Sequence, residues 1–321
     1  MKYKDAGVDI NLADSFKNHI KKLNPSIGGF AGTISIPKGY KEPLIVSSVD
    51  GVGTKLKIAF ELGIHNTVGE DLVNHCIDDI LTVGAKPLYF MDYIGTGKLT
   101  LDIQKEIIKG FLSACKKNKI TLLGGETAEM PGFYNDKEYD LAGFITGIVE
   151  KRKFIDGKKI VPGDKLIGFS SNGLHTNGYS LVRKIIKEKK LSLNTKIREF
   201  GCTLGEELLK IHKPYQNLLF PFLDKIKGLV HITGGGFEGN IPRILPKNIG
   251  VQIDASQWEI PPIFKFLQKE GKVDTKEMFK VFNMGIGMIA IVENENIFDN
   301  LTEKPFVIGK VIKGSKVIIT N

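Results

Sequence analysis

Two hydrophobic patterns recur along the chain and predict a mixture of strands and helices. Apolar residues at three- and four-residue steps run through residues 67–83 and 101–115, a spacing that places them on one face of a helix. Short apolar runs rich in β-branched residues are typical of strands. In the first half such runs occupy residues 44–49, 88–94, 120–123 and 141–149, and a Gly-Gly segment that we expect to be a loop follows the third.

The second half of the chain shows the same style after a polar segment at residues 150–163, which is the best linker candidate. Its predicted strands are residues 166–169, 230–232 and 251–253, and its predicted helices are residues 177–189 and 204–209. Single cores stop growing at roughly 250–300 residues, so a chain of 321 residues predicts two domains. We expect them at residues 1–160 and 161–321, each an α/β or α+β layered domain.

The composition is that of a globular protein, and the formal charge of +9 is the feature that needs an interpretation. The 45 Lys and Arg residues are mostly Lys and are spread along the whole chain. A nucleic-acid groove concentrates such residues on one stripe, so we interpret the charge as a solvated surface. The same field would steer small phosphorylated substrates, and we expect no nucleic-acid partner.

The three cysteines, Cys76, Cys115 and Cys202, are odd in number, far apart and without C-x-x-C spacing. This pattern argues against a disulfide framework or a structural zinc site and fits a reducing compartment. Neither an N-terminal apolar stretch of roughly 7–15 residues nor a run long enough to span a bilayer is evident. We therefore expect a cytoplasmic protein with no membrane partner.

The glycine-rich segments do not match the common phosphate-binding motifs. A P-loop needs G-x-x-x-x-G-K-[ST], and in DGVGTK at residues 50–55 the residue types stand in the wrong order. Residues 234–239, GGGFEG, match G-x-G-x-x-G, with Asp254 twenty residues on as in a dinucleotide fold. Pro242 stands where the long helix of that fold should open, so we favour another phosphate loop or a tight turn over that fold.

Several acidic residues follow or face these segments and are candidates for a metal site. Asp50 ends a predicted strand, Asp79 lies on the clearest helix, and Glu126 follows the Gly-Gly segment. Magnesium binds one or two carboxylates and completes its shell with phosphates and water. The spacing of Asp71, His75 and Asp79 at i, i+4 leaves a second possibility, a metal site on the helix surface, against solvated acids or chance proximity.

Seven motifs in order over nearly the full length resemble the phosphoribosylformylglycinamidine cyclo-ligase family, also called AIR synthetase. They are YKDAGVDI at residues 3–10, IGGF at 27–30, DGVGTK at 50–55, GGETAEMPG at 124–132, SSNGLHTNGYSL at 170–181, HITGGGF at 231–237 and FNMGIGM at 282–288. Two positions depart from the family pattern. Asp78 stands where the family usually has Asn, which leaves Asp78 or Asp79 as the metal ligand, and Glu238 and Gly239 replace the usual residues after the triple glycine.

The resemblance implies an ATP-dependent ring closure in purine biosynthesis. Formylglycinamidine ribonucleotide (FGAM) would be converted to aminoimidazole ribonucleotide (AIR), with ATP as co-substrate, Mg²⁺ as cofactor, and ADP and phosphate as products. It also implies a homodimer in which the N-terminal domains pair their sheets into a barrel, each followed by a layered α/β C-terminal domain.

The resemblance assigns roles residue by residue. Asp50 and Asp79 would serve the magnesium, Glu126 its shell or orientation, Lys21 and Lys55 the phosphates, and His175 the substrate. Glycine lets backbone amides approach phosphate oxygens closely, which is the role implied for the loops that supply the nucleotide site. That set is Gly28, Gly29, Gly51, Gly53, Thr54, Lys55, Gly124, Gly125 and Glu126. The polar start around Lys4, Asp5 and Gly7 is a candidate lid.

Alternatives remain open at this point. His175 in its Ser/Asn/Gly-rich loop either donates to an oxyanion or phosphate or braces the loop, and His231 reads as structural. Selenophosphate synthetase, thiamine-monophosphate kinase and hydrogenase maturation factors share the resemblance at the level of the fold. The first uses a Cys near the N-terminal glycine loop and the last a C-terminal Cys, and this chain has neither. A non-catalytic nucleotide-binding protein is the alternative from another class.

Overall fold

The computed structural model describes residues 7, 9–25, 27 and 31–320 of the chain. These residues form two compact units: the first comprises residues up to Ile80 and Lys86–Lys151, and the second comprises Leu81–Ala85 and Arg152–Asn321. Both contain helices and strands, so the predicted mixed α/β class is confirmed. No helix among the described residues is both long and apolar enough to cross a membrane.

The first unit is a four-stranded sheet with helices on one face. Its strands are β1 (Pro43–Gly51), β2 (Lys86–Thr96), β3 (Thr121–Glu129) and β4 (Tyr139–Glu150), in the order β1-β4-β2-β3. Its helices are α1 (Ile10–Leu23), α2 (Leu56–Leu62), α3 (Asn66–Leu81) and α4 (Leu101–Lys117). All four predicted strands and both predicted helices are present, with bounds that differ by up to six residues.

The predicted spacing of apolar residues on α3 and α4 is what buries these helices. Phe90 of β2 packs on Phe111 of α4 with ring centroids 5.7 Å apart. The two helices approach closely at Gly69 and Gly110, where a Cβ on Gly110 would lie 2.2 Å from the carbonyl oxygen of Asn66. Small residues at such a crossing let the helix backbones nearly touch, which draws both apolar faces onto the sheet.

The Gly-Gly segment after residue 123 is the clearest error of the sequence reading, because it is a strand and not a loop. β3 continues through Gly124 and Gly125 to Glu129 in parallel register with β2, where Asp92 pairs with Gly125. A Cβ on Gly125 would lie 2.3 Å from Oδ1 of Asp92. The backbone oxygen of Asp92 would also lie 2.8 Å from that Cβ, so the close approach of β2, and not a turn, favours glycine here.

The second unit is built on a six-stranded sheet in the order β12-β9-β11-β5-β10-β8. The strands are β5 (Lys165–Ser170), β8 (Ile226–His231), β9 (Ile249–Asp254), β10 (Ile286–Val292), β11 (Phe306–Lys313) and β12 (Val317–Thr320), while β6 (Lys196–Ile197) and β7 (Cys202–Thr203) form a separate hairpin. The helices are α5 (Tyr179–Lys189), α6 (Leu204–Leu208), α7 (Gln216–Leu219), α8 (Gly236–Asn240), α9 (Pro262–Gly271) and α10 (Thr275–Val281). β10 lies between β5 and β8 and is buried at every position, so both faces of the sheet are covered there.

The sheet excludes the dinucleotide-binding alternative for GGGFEG. β8 is an edge strand that pairs antiparallel with β10, whereas that fold needs a parallel sheet. The helix after the glycines, α8, has only five residues and passes into a 3₁₀ turn at Ile241–Arg243, which contains Pro242. The segment is a tight turn: Asn240 Nδ2 donates to the carbonyl oxygens of Thr233, Gly234 and Gly236 at 3.3, 3.4 and 2.7 Å.

Candidate active site

The end of β1 and one face of α3 bring three titratable side chains together in the first unit. Nε2 of His75 lies 2.7 Å from Oδ2 of Asp50, and Ser48 Oγ donates to Oδ2 of Asp79 at 2.9 Å. Ligand atoms of Asp50, His75 and Asp79 all lie within 4.8 Å of one another. The structure thus brings together two of the three predicted metal ligands, Asp50 and Asp79, with His75 from the i, i+4 alternative.

Strand alternation explains why Ser48 and Asp50 serve the same site. Residues two apart on a strand face the same side, and both of these side chains face α3. On α3, His75 and Asp79 are one turn apart and therefore lie on one helix face. α3 is also tied to β4, the neighbour of β1 in the sheet, because the Cys76 thiol donates to the carbonyl oxygen of Gly143 at 3.6 Å.

The charges of Asp50 and His75 stabilise each other. Burial raises the pKa of Asp50, but the hydrogen bond and positive charge of His75 outweigh it and leave that pKa below its ordinary value. For His75, burial lowers the pKa, yet the hydrogen bond to Asp50 and the negative charges of Asp50, Asp79 and Asp71 raise it above its ordinary value. The site is therefore a cluster of two carboxylates and one imidazole, in which Asp50 and His75 each shift the pKa of the other in favour of its charged form.

The donor set fits a hard divalent cation. Two carboxylates converge at one end of a strand, which is the number that magnesium takes from proteins before phosphate and water complete its shell. Asp78 is fully buried, whereas Asp79 is partly exposed and belongs to the cluster. Of the two adjacent acids, the geometry thus favours Asp79 as the metal ligand.

Asp71, the third acid on this stretch of α3, has a different partner from the one that the i, i+4 spacing suggests. Its Oδ2 lies 2.7 Å from Nζ of Lys55, and both side chains are fully buried. Burial lowers the pKa of Lys55, and the Asp71 charge opposes that effect. Lys55 therefore forms a buried ion pair with Asp71 in this structure. Its predicted contact with phosphate stays a prediction.

The end of β1 and the turn that leads to α2 contain Gly51, Gly53, Thr54 and Lys55, whose contacts with a nucleotide stay a prediction. Oδ1 of Asp50 accepts from the amide of Gly51 at 2.7 Å, which aims the carboxylate at the loop. Gly53 has φ +66° and open space where a Cβ would stand, so glycine is needed there for its conformation. Thr54 and Lys55 complete the 3₁₀ turn that leads into α2.

Glu126 does not lie in the Asp50 cluster. The strand register aligns Asp50, Gly143, Asp92 and Gly125 in one row across the sheet. Gly125 is therefore three strands from Asp50, which at the usual strand spacing is roughly 14 Å. Glu126 is the next residue, and side-chain alternation turns it to the other face of the sheet. Its assignment as a metal ligand, with Gly124 and Gly125 as nucleotide contacts, stays a prediction, and within one chain Glu126 would not share an ion with Asp50 and Asp79.

Asp92 lies in the same row across the sheet as Asp50 and was not predicted from the sequence as a site residue. It is only 7% exposed, and burial together with the Glu126 charge raises its pKa to about 8. An acid inside the apolar run of residues 88–94 is the signal that could have found it, because an acid inside an apolar strand is rarely tolerated without a role.

His175 lies in the second unit, in the loop between β5 and α5. It is fully buried with φ +61°, and its Nε2 accepts from the amides of Asn172 at 3.1 Å and Lys213 at 3.4 Å. Its ring also packs on His212, with centroids 3.9 Å apart. A ring nitrogen that accepts two backbone bonds carries no proton, so these contacts are those of the loop-bracing alternative. The substrate role of His175 stays a prediction.

The remaining predicted residues lie at the N-terminus. Lys21 is exposed in the last turn of α1. Gly28, Gly29, Lys4 and Asp5 are outside the described residues. His231, read as structural, faces His212 with 3.2 Å between their Nε2 atoms.

The fold and the acidic cluster define a two-unit α/β protein with a candidate metal and phosphate site, and comparison with known proteins identifies its family. The N-terminal domain model of AIR synthase related proteins matches residues 31–149, and the C-terminal domain model matches residues 161–320. The phosphoribosylformylglycinamidine cyclo-ligase of Thermodesulfovibrio yellowstonii is 49% identical, covering 99% of this chain and 98% of its own. The chloroplastic enzyme of that name from Arabidopsis thaliana is 45% identical, covering 99% and 82%.

The chain therefore belongs to the phosphoribosylformylglycinamidine cyclo-ligase family of AIR synthase related proteins, as the seven motifs predicted. Solved structures share the fold at lower identity. One of the hydrogenase maturation protein HypE in complex with ATP is 15% identical with a TM-score of 0.66, covering 95% of this chain and 88% of its own. AaThiL complexed with AMPPCP and TMP is 15% identical with a TM-score of 0.64, covering 99% and 95%.

Proposed function

We propose that this chain catalyses the ATP-dependent cyclisation of FGAM to AIR, with release of ADP and phosphate, in purine biosynthesis. The formamide oxygen of the substrate attacks the γ-phosphorus of ATP, and ADP leaves. A nitrogen of the same substrate then attacks the activated carbon, phosphate leaves, and the imidazole ring closes. The full-length similarity to proteins named as cyclo-ligases, at up to 49% identity, is the observation that carries the proposal.

The acidic cluster of the first unit supplies what the phosphoryl transfer needs. Such transfers depend on positioning and charge neutralisation more than on a protein nucleophile. Asp50 and Asp79 would hold Mg²⁺, which on binding neutralises phosphate charge. The 2.9 Å bond from Ser48 orients Asp79, and the amide of Gly51 orients Asp50. ATP binding is supported by the fold relatives solved with ATP or AMPPCP.

The remaining assignments extend this proposal. Residues 1–160 would form the ATP-binding, metal-binding and dimerisation domain, with residues 161–321 as the C-terminal domain of the family. Lys21, exposed at the end of α1, is free of the burial that encloses Lys55 and is the better placed of the two for a phosphate. Gly28 and Gly29 would approach the nucleotide through their amides.

We also propose a homodimer through the sheet of the first unit. Ile45, Val49 and Phe144 are 59%, 58% and 46% exposed. They lie on the sheet face opposite α3, and Val49 and Phe144 are direct cross-strand neighbours. An apolar stripe of this kind on a β-sheet is costly in water, and pairing two such sheets into a barrel would cover it.

The test compares Asp50→Asn with Asp140→Asn in the purified protein supplied with FGAM, ATP and Mg²⁺. Both carboxylates accept from the amide of the following residue, at 2.7 and 2.9 Å, but only Asp50 belongs to the cluster. We expect AIR and phosphate from the wild type and from Asp140→Asn. Asp50→Asn should lose at least about 100-fold in Mg²⁺-dependent turnover, the scale on which removal of a charge-stabilising group acts. ATP binding without AIR formation by the wild type would overturn the cyclo-ligase proposal, and undiminished turnover by Asp50→Asn would overturn the role of that residue.

A further inference from the structure

A cavity of about 590 Å³ lies in the second unit, between α9 and the segment that leads through β6 to the hairpin turn. Its walls are residues 191, 192 and 195–200 on one side and α9 on the other, and the buried Leu204 also lines it. None of its residues belongs to the candidate active site. Its volume lies in the range of small-molecule sites, roughly 300–1,000 Å³.

One face of α9 supplies a whole wall of this cavity. Pro262, Lys265, Phe266, Lys269 and Glu270 follow the i, i+3, i+4, i+7, i+8 spacing that defines a single helix face. Buried residues Ile263, Phe264 and Leu267 hold the opposite face of the helix in the core. The cavity face is therefore a fixed surface with an aromatic ring flanked by two ammonium groups.

The facing wall has the same character. Phe200 contacts Phe266 of α9 edge to face, with ring centroids 5.4 Å apart, so the two rings join the two walls. Lys196 and Arg198 add two cations beside Phe200. Among the described residues, neither Arg198 nor Lys269 has a carboxylate within ion-pair distance. The site thus combines an aromatic floor with four cations at its edge and the two carboxylates of Glu199 and Glu270.

We propose that this cavity is a second ligand site that binds a mononucleotide. The aromatic pair offers a surface on which a planar base packs, and Arg198 and Lys269 offer charge-assisted hydrogen bonds to its phosphate. Glu199 and Glu270 accept from the amino and hydroxyl donors of a base and a ribose. A fatty acyl anion has no such donors, and two carboxylates beside its chain would repel it. The mixed signs of charge therefore select a nucleotide over a lipid.

The experiment is photolabelling of the full-length protein with 8-azidoadenosine 5′-monophosphate, followed by peptide mapping. Mapping separates the cavity from any nucleotide bound in the first unit, so the result does not depend on the proposed activity. We expect label on peptides that contain residues 191–204 or 262–270. AMP should compete for it, whereas adenosine, which lacks the phosphate, should not.

Two double variants test whether the cations of the cavity bind the phosphate. Arg198→Ala with Lys269→Ala should lower labelling of the cavity peptides about tenfold or more, because both phosphate partners are lost. Lys187→Ala with Lys276→Ala removes the same charge from exposed positions outside the cavity and should leave labelling unchanged. Unchanged unfolding temperatures confirm that both variants fold. Label found only in the first unit, or cavity labelling that persists in the Arg198/Lys269 variant, would overturn the proposal.

Discussion

Asp92 shows how a single residue links the stability of the first unit to pH. Its carboxyl group is buried near Cys115, and the raised pKa of about 8 means that the folded chain holds its proton through neutral pH. The unfolded chain releases that proton near the ordinary value of 3.8. Between these two values the folded state binds more protons than the unfolded state, so this group's contribution to stability falls as pH rises.

The prediction is that Asp92→Asn flattens this dependence. The free energy of unfolding of the wild type should fall relative to that of Asp92→Asn between pH 5 and 8, at up to roughly 1.4 kcal/mol per pH unit. Urea unfolding at several pH values measures the difference. Asp136→Asn, in an exposed loop, is the control, and its free energy of unfolding should change with pH in parallel with that of the wild type. A wild-type curve parallel to that of Asp92→Asn would contradict the burial argument.

The sequence singles out Asp50 and Asp79 as candidate site residues, but it does not show which side chains contact them. Asp50 ends an apolar run and Asp79 lies on a periodic helix, and both facts are visible in the sequence. That His75 faces Asp50 while Asp71 faces Lys55 depends on the docking of α3 against β1, which no local pattern encodes. For the same reason, the sequence could not show that Glu126 lies on the other face of the sheet.

At the scale of elements, periodicity predicted the strongest apolar patterns of the first unit but missed α9, β10, β11 and β12 in the second unit and the polar half of β3. The helical stripes of α3 and α4 and the apolar runs of β1 and β4 are all present. β3 was missed beyond residue 123 because its second half, GGETAE, has no strand-like composition. Parallel pairing with β2 holds those residues extended, so tertiary contact overrides local propensity there.

The five-residue helix α8 contains two glycines, Gly236 and Gly239. Substituting each should show which position requires glycine for its backbone conformation. Gly236 has φ +58°, and an added Cβ would lie 1.9 Å from the carbonyl oxygen of Phe279. Gly239 has open space around the same position. We expect Gly236→Ala to lower the free energy of unfolding by about 2 kcal/mol or more. Gly239→Ala should be neutral or stabilise by up to about 1 kcal/mol, because alanine favours the helix.

Thermal or urea unfolding of the two alanine variants provides the measurement. Each serves as the control of the other, since the same methyl group is added three residues apart in one short element. Equal losses of stability would mean that the packing of the triple-glycine turn against Phe279 is not what requires glycine at position 236.

At the scale of the whole molecule, length and the polar segment at residues 150–163 pointed to two bodies, and the structure divides near Lys151. Strand order within each sheet was beyond prediction, because pairings such as β9 with β11 join segments about 60 residues apart. The association of two chains was implied only by the family resemblance. The apolar stripe formed by Ile45, Val49 and Phe144 on the first unit supports the proposed association with a physical reason.

The homodimer is therefore the last and largest prediction. If Ile45 and Phe144 are covered by a second chain, their burial contributes roughly 1.5–3 kcal/mol each, and glutamate at these positions would place unpaired charge in the interface. In sedimentation experiments we expect the wild type to have twice the mass of one chain. The double variant Ile45→Glu, Phe144→Glu should have the mass of a monomer. Val161→Glu with Val307→Glu replaces comparably exposed residues of the second unit, 49% and 42%, and should stay dimeric. A monomeric wild type, or a stripe variant that remains dimeric, would show that this face does not join two chains.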